Sequence, residues 1–236
     1  MMYSALAGVY DRLAYDFDYA QWADRYISLL KRHGGDLHEI VDMGCGTGTL
    51  GIELSKRGYK ITAMDLSGDM LSVASDKARK AGQRIAFSKQ DMRHFAVPHL
   101  VDGIFCACDG VNYLTKDEGA VSFFNCARAA LKKGGALAFD VSGPEKLQGM
   151  ARQQRFFEET DDCAYIWVNQ MEGSILTMEI SFYIKCDDGR YERFHETHRQ
   201  RAWSAGELCD LLSQAGFTDI SSETDAGRIY FSAKSE

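Results

Sequence analysis

The chain has 236 residues, 45% of them hydrophobic and 26% charged, and a formal net charge of −7. That length suits one large domain or a core domain carrying a smaller insertion, and the acidic balance argues against bulk nucleic-acid binding, which needs a basic surface. No apolar run reaches the ~18 residues of a membrane span, and the acid- and aromatic-rich start is unlike a signal peptide, so a cytoplasmic protein with no membrane partner is expected. Seven scattered cysteines without a CxxC pair fit reduced thiols rather than a zinc ribbon or redox site.

In chain order, Trp22, Tyr26, Leu29 and Leu30 recur at helical spacing and predict a helix from about Tyr19 to His33, stopped by Gly34 and Gly35. HEIVDM then reads as a buried strand, followed by a helix from about Thr47 to Arg57 that Gly58 ends. YKITAMD is a second strand, and Ser67 opens a helix with Leu71, Ala74 and Ala78 on one face, ended by Gly82. RIAFSKQD and DGIFCAC are strands three and four, and Thr115 with Glu118 has the spacing of a capping box for a helix running to Gly134–Gly135. GALAFDV is the fifth strand, so strands and helices alternate as in a parallel sheet with right-handed crossovers.

The rhythm changes after Pro144. CAYIWVNQ, SILTMEISFYIK and RYERFHETHRQRAW are rich in β-branched and aromatic residues and separated by turn-like MEG and CDDG, which predicts an antiparallel meander inserted into the α/β domain. AGELCDLLSQAGF restores the helical pattern, and TDISSET with RIYFSAK closes as a strand pair. The organisation expected is a leader over residues 1–36, an α/β core over 37–143 and 204–236, and an inserted β subdomain over 144–203.

The sharpest local signal is VDMGCGTG, directly after the first strand. Gly44, Gly46 and Gly48 let the backbone turn tightly and approach a ligand with no Cβ in the way, and the helix that follows aims its free N–H groups the same way. Gly46, Gly48 and Gly51 also spell GxGxxG with Asp65 downstream, the bare pattern of a dinucleotide site. Against that reading, Asp42 and Gly44 intervene between strand and pattern, a second acid, Asp91, ends the third strand, and the closing strand pair does not continue a second βαβ half.

At these residues the sequence resembles the class I S-adenosylmethionine-dependent methyltransferases. VDMGCGTG looks like their acid-x-Gly-x-Gly-x-Gly loop, and AMDLSGDML, SKQDM, CACDGVNYL, LKKGGALAFDV and LLSQAGF are similar to their later motifs in order. The likeness runs from about Ile40 to Val141 and again from about Glu207, and YSALAGVYDRLAYDFDYAQW resembles the leader of a small bacterial subgroup with a β meander over the active site. The resemblance implies an α/β, doubly wound, mostly parallel seven-stranded Rossmann-like sheet, an S-adenosyl-L-methionine cofactor and a methyl-transfer activity. It implies that Gly44, Cys45, Gly46 and Gly48 lie under the methionine part of the cofactor and that Asp42 orients the loop or meets the ammonium. Asp65, beside Leu66, suits two ribose hydroxyls, because a carboxylate accepts two hydrogen bonds. Asp91 and Met92 suit the adenine.

Asp109 and Tyr113 follow the fourth strand and are placed near the transferred methyl or the acceptor, since ligands sit outside the carboxyl ends of such sheets. Tyr10, Tyr19 and Trp22 are candidates to close over the sulfonium, because aromatic faces attract a cation. His198 is a candidate base. His195 and His198 are not read as metal ligands, because residues three apart on a strand face opposite ways, so no metal is expected. The acceptor is expected to be a small molecule, and the protein a monomer or homodimer. A nicotinamide-dependent oxidoreductase and a non-catalytic S-adenosylmethionine-binding module are the alternatives.

Overall fold

The computed structural model describes residues 18–161, 163–186 and 188–236. The first element is the helix α1 (Tyr19–Lys31), capped by the Asp18 carboxylate, which accepts from the Gln21 N–H at 3.0 Å. Then come β1 (Glu39–Met43), α2 (Thr49–Lys56), β2 (Lys60–Asp65), α3 (Gly68–Lys80), β3 (Ala86–Lys89), β4 (Val101–Cys106), α4 (Asp117–Ala130) and β5 (Leu131–Ser142). Short 3₁₀ turns at Met92–His94 and Gly110–Tyr113 follow β3 and β4.

Seven of the described strands form one sheet in the order β10-β11-β5-β4-β1-β2-β3. The strands β1 to β5 pair in parallel, as the alternating sequence predicts. The closing pair, β10 (Phe217–Asp225) and β11 (Arg228–Ser235), is antiparallel, and β11 enters between β10 and β5 with Phe231 opposite Phe139. Those two rings stack at 4.7 Å. The order reverses at β1 and β4, so the crevice at the carboxyl ends of these two strands is where this class of sheet binds its ligand.

Each face of the sheet carries its own core. On one face Tyr26, Leu29 and Leu30 of α1 and Leu50 and Leu54 of α2 pack on Ile40, Ile61 and Phe105. On the other, Phe123 and Phe124 of α4 and Leu208 and Leu212 of α6 (Ala205–Gln214) pack on Val41, Leu137 and Phe139. Full burial of each large apolar side chain contributes ~1.5–3 kcal/mol, which is why the helical spacing of these residues predicts the layers.

Four local expectations need correction. The Thr115–Glu118 capping box is absent: the N-cap of α4 is Lys116, with no side-chain cap bond. Nor does α4 run to Gly134–Gly135, since it stops at Ala130 and β5 begins at once at Leu131. The segment after Gly143 is first a helix, α5 (Pro144–Gln153), with proline in its first turn. The meander has four strands rather than three, β6 (Arg155–Glu159), β7 (Cys163–Glu172), β8 (Ile175–Lys185) and β9 (Tyr191–Arg201), paired in sequence order. Leu147 of α5 packs on Leu176, Met178, Ile180 and Phe182 of that second sheet. Its β9 runs against the Gly110–Tyr113 turn at the end of β4.

Candidate active site

The glycine loop after β1 is folded by the neighbouring strand. The N–H groups of Gly44 and Cys45 both donate to the Met64 carbonyl of β2, at 2.8 and 3.0 Å. The Asp65 carboxylate completes the tie, accepting from the Gly46 N–H with one oxygen and the Ser67 N–H with the other, each at 2.8 Å. Gly44, Gly46 and Gly48 all have positive φ, 71°, 54° and 75°. Their steric roles differ. A Cβ on Gly48 would lie 2.8 Å from the Ala74 Cβ of α3, whereas one on Gly46 would meet no protein atom within 4 Å.

Above this loop lies a cleft of about 830 Å³. Asp42, Gly44, Cys45, Gly46, Asp65, Leu66, Asp91, Met92 and Tyr19 line it together with Gly110, Tyr113, Thr115 and Lys116. Of the residues foreseen for the acceptor, Tyr113 shares this space, while Asp109 and His198 do not line it. Gly48 does not line it but seats α2 against α3. Tyr10 lies outside the described residues.

Charge in the cleft is set by burial. Asp42 is fully buried, and its Oδ2 has no hydrogen-bond partner among the described residues. Burial, reinforced by the Asp65 carboxylate, pushes its pKa up to about 8. Burial also raises Asp65, against the pull of its bonds to the Ser67 and Gly46 N–H groups. The Cys45 thiol is raised by burial and by Asp42, so it is no nucleophile. Asp91 is held low instead, because the Arg93 guanidinium bonds its carboxylate.

At the end of β4 the backbone takes an unusual course: Cys108 and Asp109 both have positive φ, 58° and 65°. Asp140, at the end of β5 and fully buried, stabilises that turn by accepting from the N–H groups of Cys108 at 2.8 Å and Asp109 at 3.3 Å. Its carboxylate also takes the Tyr26 hydroxyl and the Arg228 guanidinium. The Asp109 side chain joins the same network, accepting from Arg228 and from the Ser142 hydroxyl at 2.9 Å, and is not among the groups lining the cleft. Trp22 likewise turns away from the cleft to pack near Tyr26 and Tyr230, its ring 5.1 Å from the Arg228 guanidinium. Asn112 is buried and structural, donating to the Ser142 and Arg201 carbonyls. Sequence reasoning missed Asp140 and Arg228, although a carboxylate ending an apolar strand was the signal used for Asp65.

Tyr113 reaches from the cleft to the meander. Its hydroxyl is 3.0 Å from Nδ1 of His198, and Nε2 of His198 is 2.9 Å from the Glu196 carboxylate. Both β9 side chains are almost fully buried, while His195, on the opposite face, is half exposed beside Glu179. The two histidines therefore point apart, as their spacing predicts.

A methyltransferase-domain family model matches residues 40–135. A chain of Geobacillus sp. (strain WCH70) that carries a methyltransferase name is 31% identical over 99% of this chain and 100% of its own length. This chain belongs to the class I S-adenosylmethionine-dependent methyltransferases. YqeM of Bacillus subtilis (strain 168), also named a methyltransferase, is 31% identical over 99% of the methyltransferase described here and 97% of itself. An S-adenosylmethionine-dependent methyltransferase from Clostridium acetobutylicum superposes with a TM-score of 0.87 at 28% identity, covering 99% of both chains.

The cofactor of this methyltransferase is S-adenosylmethionine, and the GxGxxG pattern is not a nicotinamide site. The residues fit that cofactor. The glycine loop leaves open space over Gly46, where a Cβ would meet no protein atom, and the Asp65 carboxylate lines the same cleft.

Proposed function

We propose that the methyltransferase acts on a small-molecule acceptor held at the Tyr113 end of the cleft, with the cofactor at the glycine-loop end. The observation that carries this reading is the continuity of the cleft from Asp65 to Lys116. Gly44, Cys45 and Gly46 underlie the methionine moiety, Asp42 orients the loop, Asp65 takes the ribose hydroxyls, and Leu66, Asp91 and Met92 border the adenine. Tyr19 closes the rim. Around the core of 37–143 and 204–236, the insertion over 144–203 backs this end of the cleft through His198, which meets the Tyr113 hydroxyl.

When bound, the cofactor supplies an already activated methyl group. The chain's own contribution is to hold the acceptor in line, which lowers a barrier by ~7–11 kcal/mol when reacting atoms are well oriented. Asp109 acts at one remove, by fixing the turn from which Tyr113 projects. The test is a screen of small-molecule acceptors with tritiated methyl donor, beside calorimetry of donor binding. Donor affinity with label transfer to a small acceptor supports the reading; transfer only to protein or RNA counts against it.

A further inference from the structure

We infer that Asn112 is a positioning residue for methyl transfer: it clamps both roots of the inserted subdomain onto the turn that lines the cleft. The inference rests on the acceptor position proposed above. Asn112 is fully buried at the third position of the Gly110–Tyr113 turn. Its side-chain oxygen accepts from the Ser142 N–H at 2.9 Å, and its amide nitrogen donates to the Ser142 carbonyl at 3.0 Å and to the Arg201 carbonyl at 2.8 Å. Ser142 ends β5, where the chain leaves the core, and Arg201 ends β9, where it returns. One side chain thus holds the way in and the way out. A side-chain amide carries two N–H donors and an acceptor oxygen, which is the set these three backbone groups require. An aspartate of the same shape would set an oxygen against two carbonyls, and a leucine would make none of the three bonds.

The turn has two faces. Gly110 and Tyr113, with Leu114 after them, line the cleft, while Val111 and Asn112 are buried beneath. Two further contacts tie the exit root to the same stretch: the Trp203 indole N–H donates to the Leu114 carbonyl at 3.1 Å, and the Arg201 guanidinium pairs with Asp117 at 2.6 Å. On the entry side the Ser142 hydroxyl donates to the Asp109 carboxylate at 2.9 Å. The glycine loop is held differently, by the Met64 carbonyl and the Asp65 carboxylate of β2. The two parts of the cleft therefore have separate supports, β2 for one and the roots of the insertion for the other.

Separate supports make alignment a property of the clamp. A buried amide with each of its groups satisfied fixes one arrangement of the parts it joins. In-line transfer depends on that arrangement, since a displacement of about 1 Å far from the reacting atoms can cost ~100-fold in rate. Without the three bonds the turn can shift against the insertion while the donor stays seated on the glycine loop. Asn112 touches neither donor nor acceptor in this scheme; it acts through the residues on either side of it in the turn.

The test has two arms on the full-length protein, with Asn112→Asp and with Trp203→Phe, which removes the bond to Leu114 and keeps an aromatic ring. In the first, amide hydrogen exchange is followed by mass spectrometry. In Asn112→Asp, peptides covering residues 109–117, 140–143 and 200–203 are expected to exchange together ~10-fold or more faster than in the parent, while those covering β1 and β2 change by less than about threefold. Uniform acceleration along the chain, or acceleration of the turn without the two roots, overturns the clamp. Should Asn112→Asp fail to fold, the same comparison in Trp203→Phe, for residues 109–117 and 200–203, decides. In the second arm, calorimetry is expected to give S-adenosylmethionine a Kd within about threefold of the parent's in each variant. Tritiated donor is then supplied with catechol and with glucosamine as probe acceptors, and kcat is expected to fall ~100-fold in Asn112→Asp and ~10-fold in Trp203→Phe. A kcat equal to the parent's in both variants, or a loss of donor affinity as large as the loss of rate, overturns the positioning role. Methylation of neither probe by the unmodified protein would instead strike the acceptor position, and the exchange pattern would still decide the clamp.

Discussion

At the scale of single residues, Asp65 is both a candidate ligand group and the knot of the glycine loop, because its two oxygens already accept from Gly46 and Ser67. Asp65→Ala should therefore weaken donor binding by about ten- to a hundredfold, the loss of charged hydrogen bonds being ~1.5–3 kcal/mol, and also lower the melting temperature. Unchanged affinity in calorimetry would remove the ribose assignment. The glycines separate into two kinds. Gly48→Val should destabilise the fold by ~1–3 kcal/mol or more through its clash with Ala74. Gly46→Val meets open space but carries the strain of a β-branched residue at φ 54°, so it should fold with the smaller loss of stability while losing donor binding; chemical denaturation and calorimetry on the pair distinguish the two. Asp42 has a folded pKa of about 8, above its ordinary value, so the native state binds the extra proton. Its contribution to stability is then present at low pH and lost as pH rises from about 4 to about 8. Asp42→Asn should flatten that slope by up to about 1.4 kcal/mol per pH unit in urea titrations. The glycine loop and the acid after the second strand were legible as a pattern. What each one touches was not, since Gly46 and Gly48 differ only in what α3 brings near.

At the scale of elements, long periodic segments were legible and short or mixed ones were not. The helices α1, α3 and α6 carry apolar faces that announce themselves, whereas α5 has Leu147 as its only fully buried residue and follows a proline easily read as a break. The strand β6 is five residues ending in two glutamates, too short to announce a strand in the sequence. The Thr115–Glu118 spacing misled because a cap motif works only where the chain turns, while an unforeseen box holds α6: the Ser204 hydroxyl accepts from the Glu207 N–H at 3.3 Å, and the Glu207 carboxylate accepts from the Ser204 N–H at 2.8 Å. Ser204→Ala should cost ~1 kcal/mol, read as an earlier urea midpoint with unchanged slope. Replacing residues 144–203 with a Gly/Ser linker should keep donor binding and lose methyl transfer, since it removes β9 from beside the Gly110–Tyr113 turn but none of the glycine loop. Retained turnover would sink the acceptor-wall role.

Across the whole molecule, the alternation of strands and helices was enough to expect a doubly wound sheet, and the crevice at its carboxyl ends followed from topology. The contacts that tie the two sheets were not legible, because Tyr113 and His198 lie 85 residues apart and nothing local pairs them. The placement of β11 between β5 and β10 carries a consequence for the order of synthesis. The edge of β5 is made early, but its partner is the last strand, so at ~5–20 residues per second it waits roughly 4–17 s between Ser142 and Arg228 leaving the ribosome's active centre. Throughout that interval the Phe139 ring lacks the Phe231 face it will stack on, and β10, once made, has no strand partner. An unpaired apolar edge of this kind is a template for other chains. Ribosome-stalled nascent chains ending before Arg228 should therefore remain protease-sensitive and engage chaperones, whereas those extended past Ser235 with a linker should become resistant in a single step.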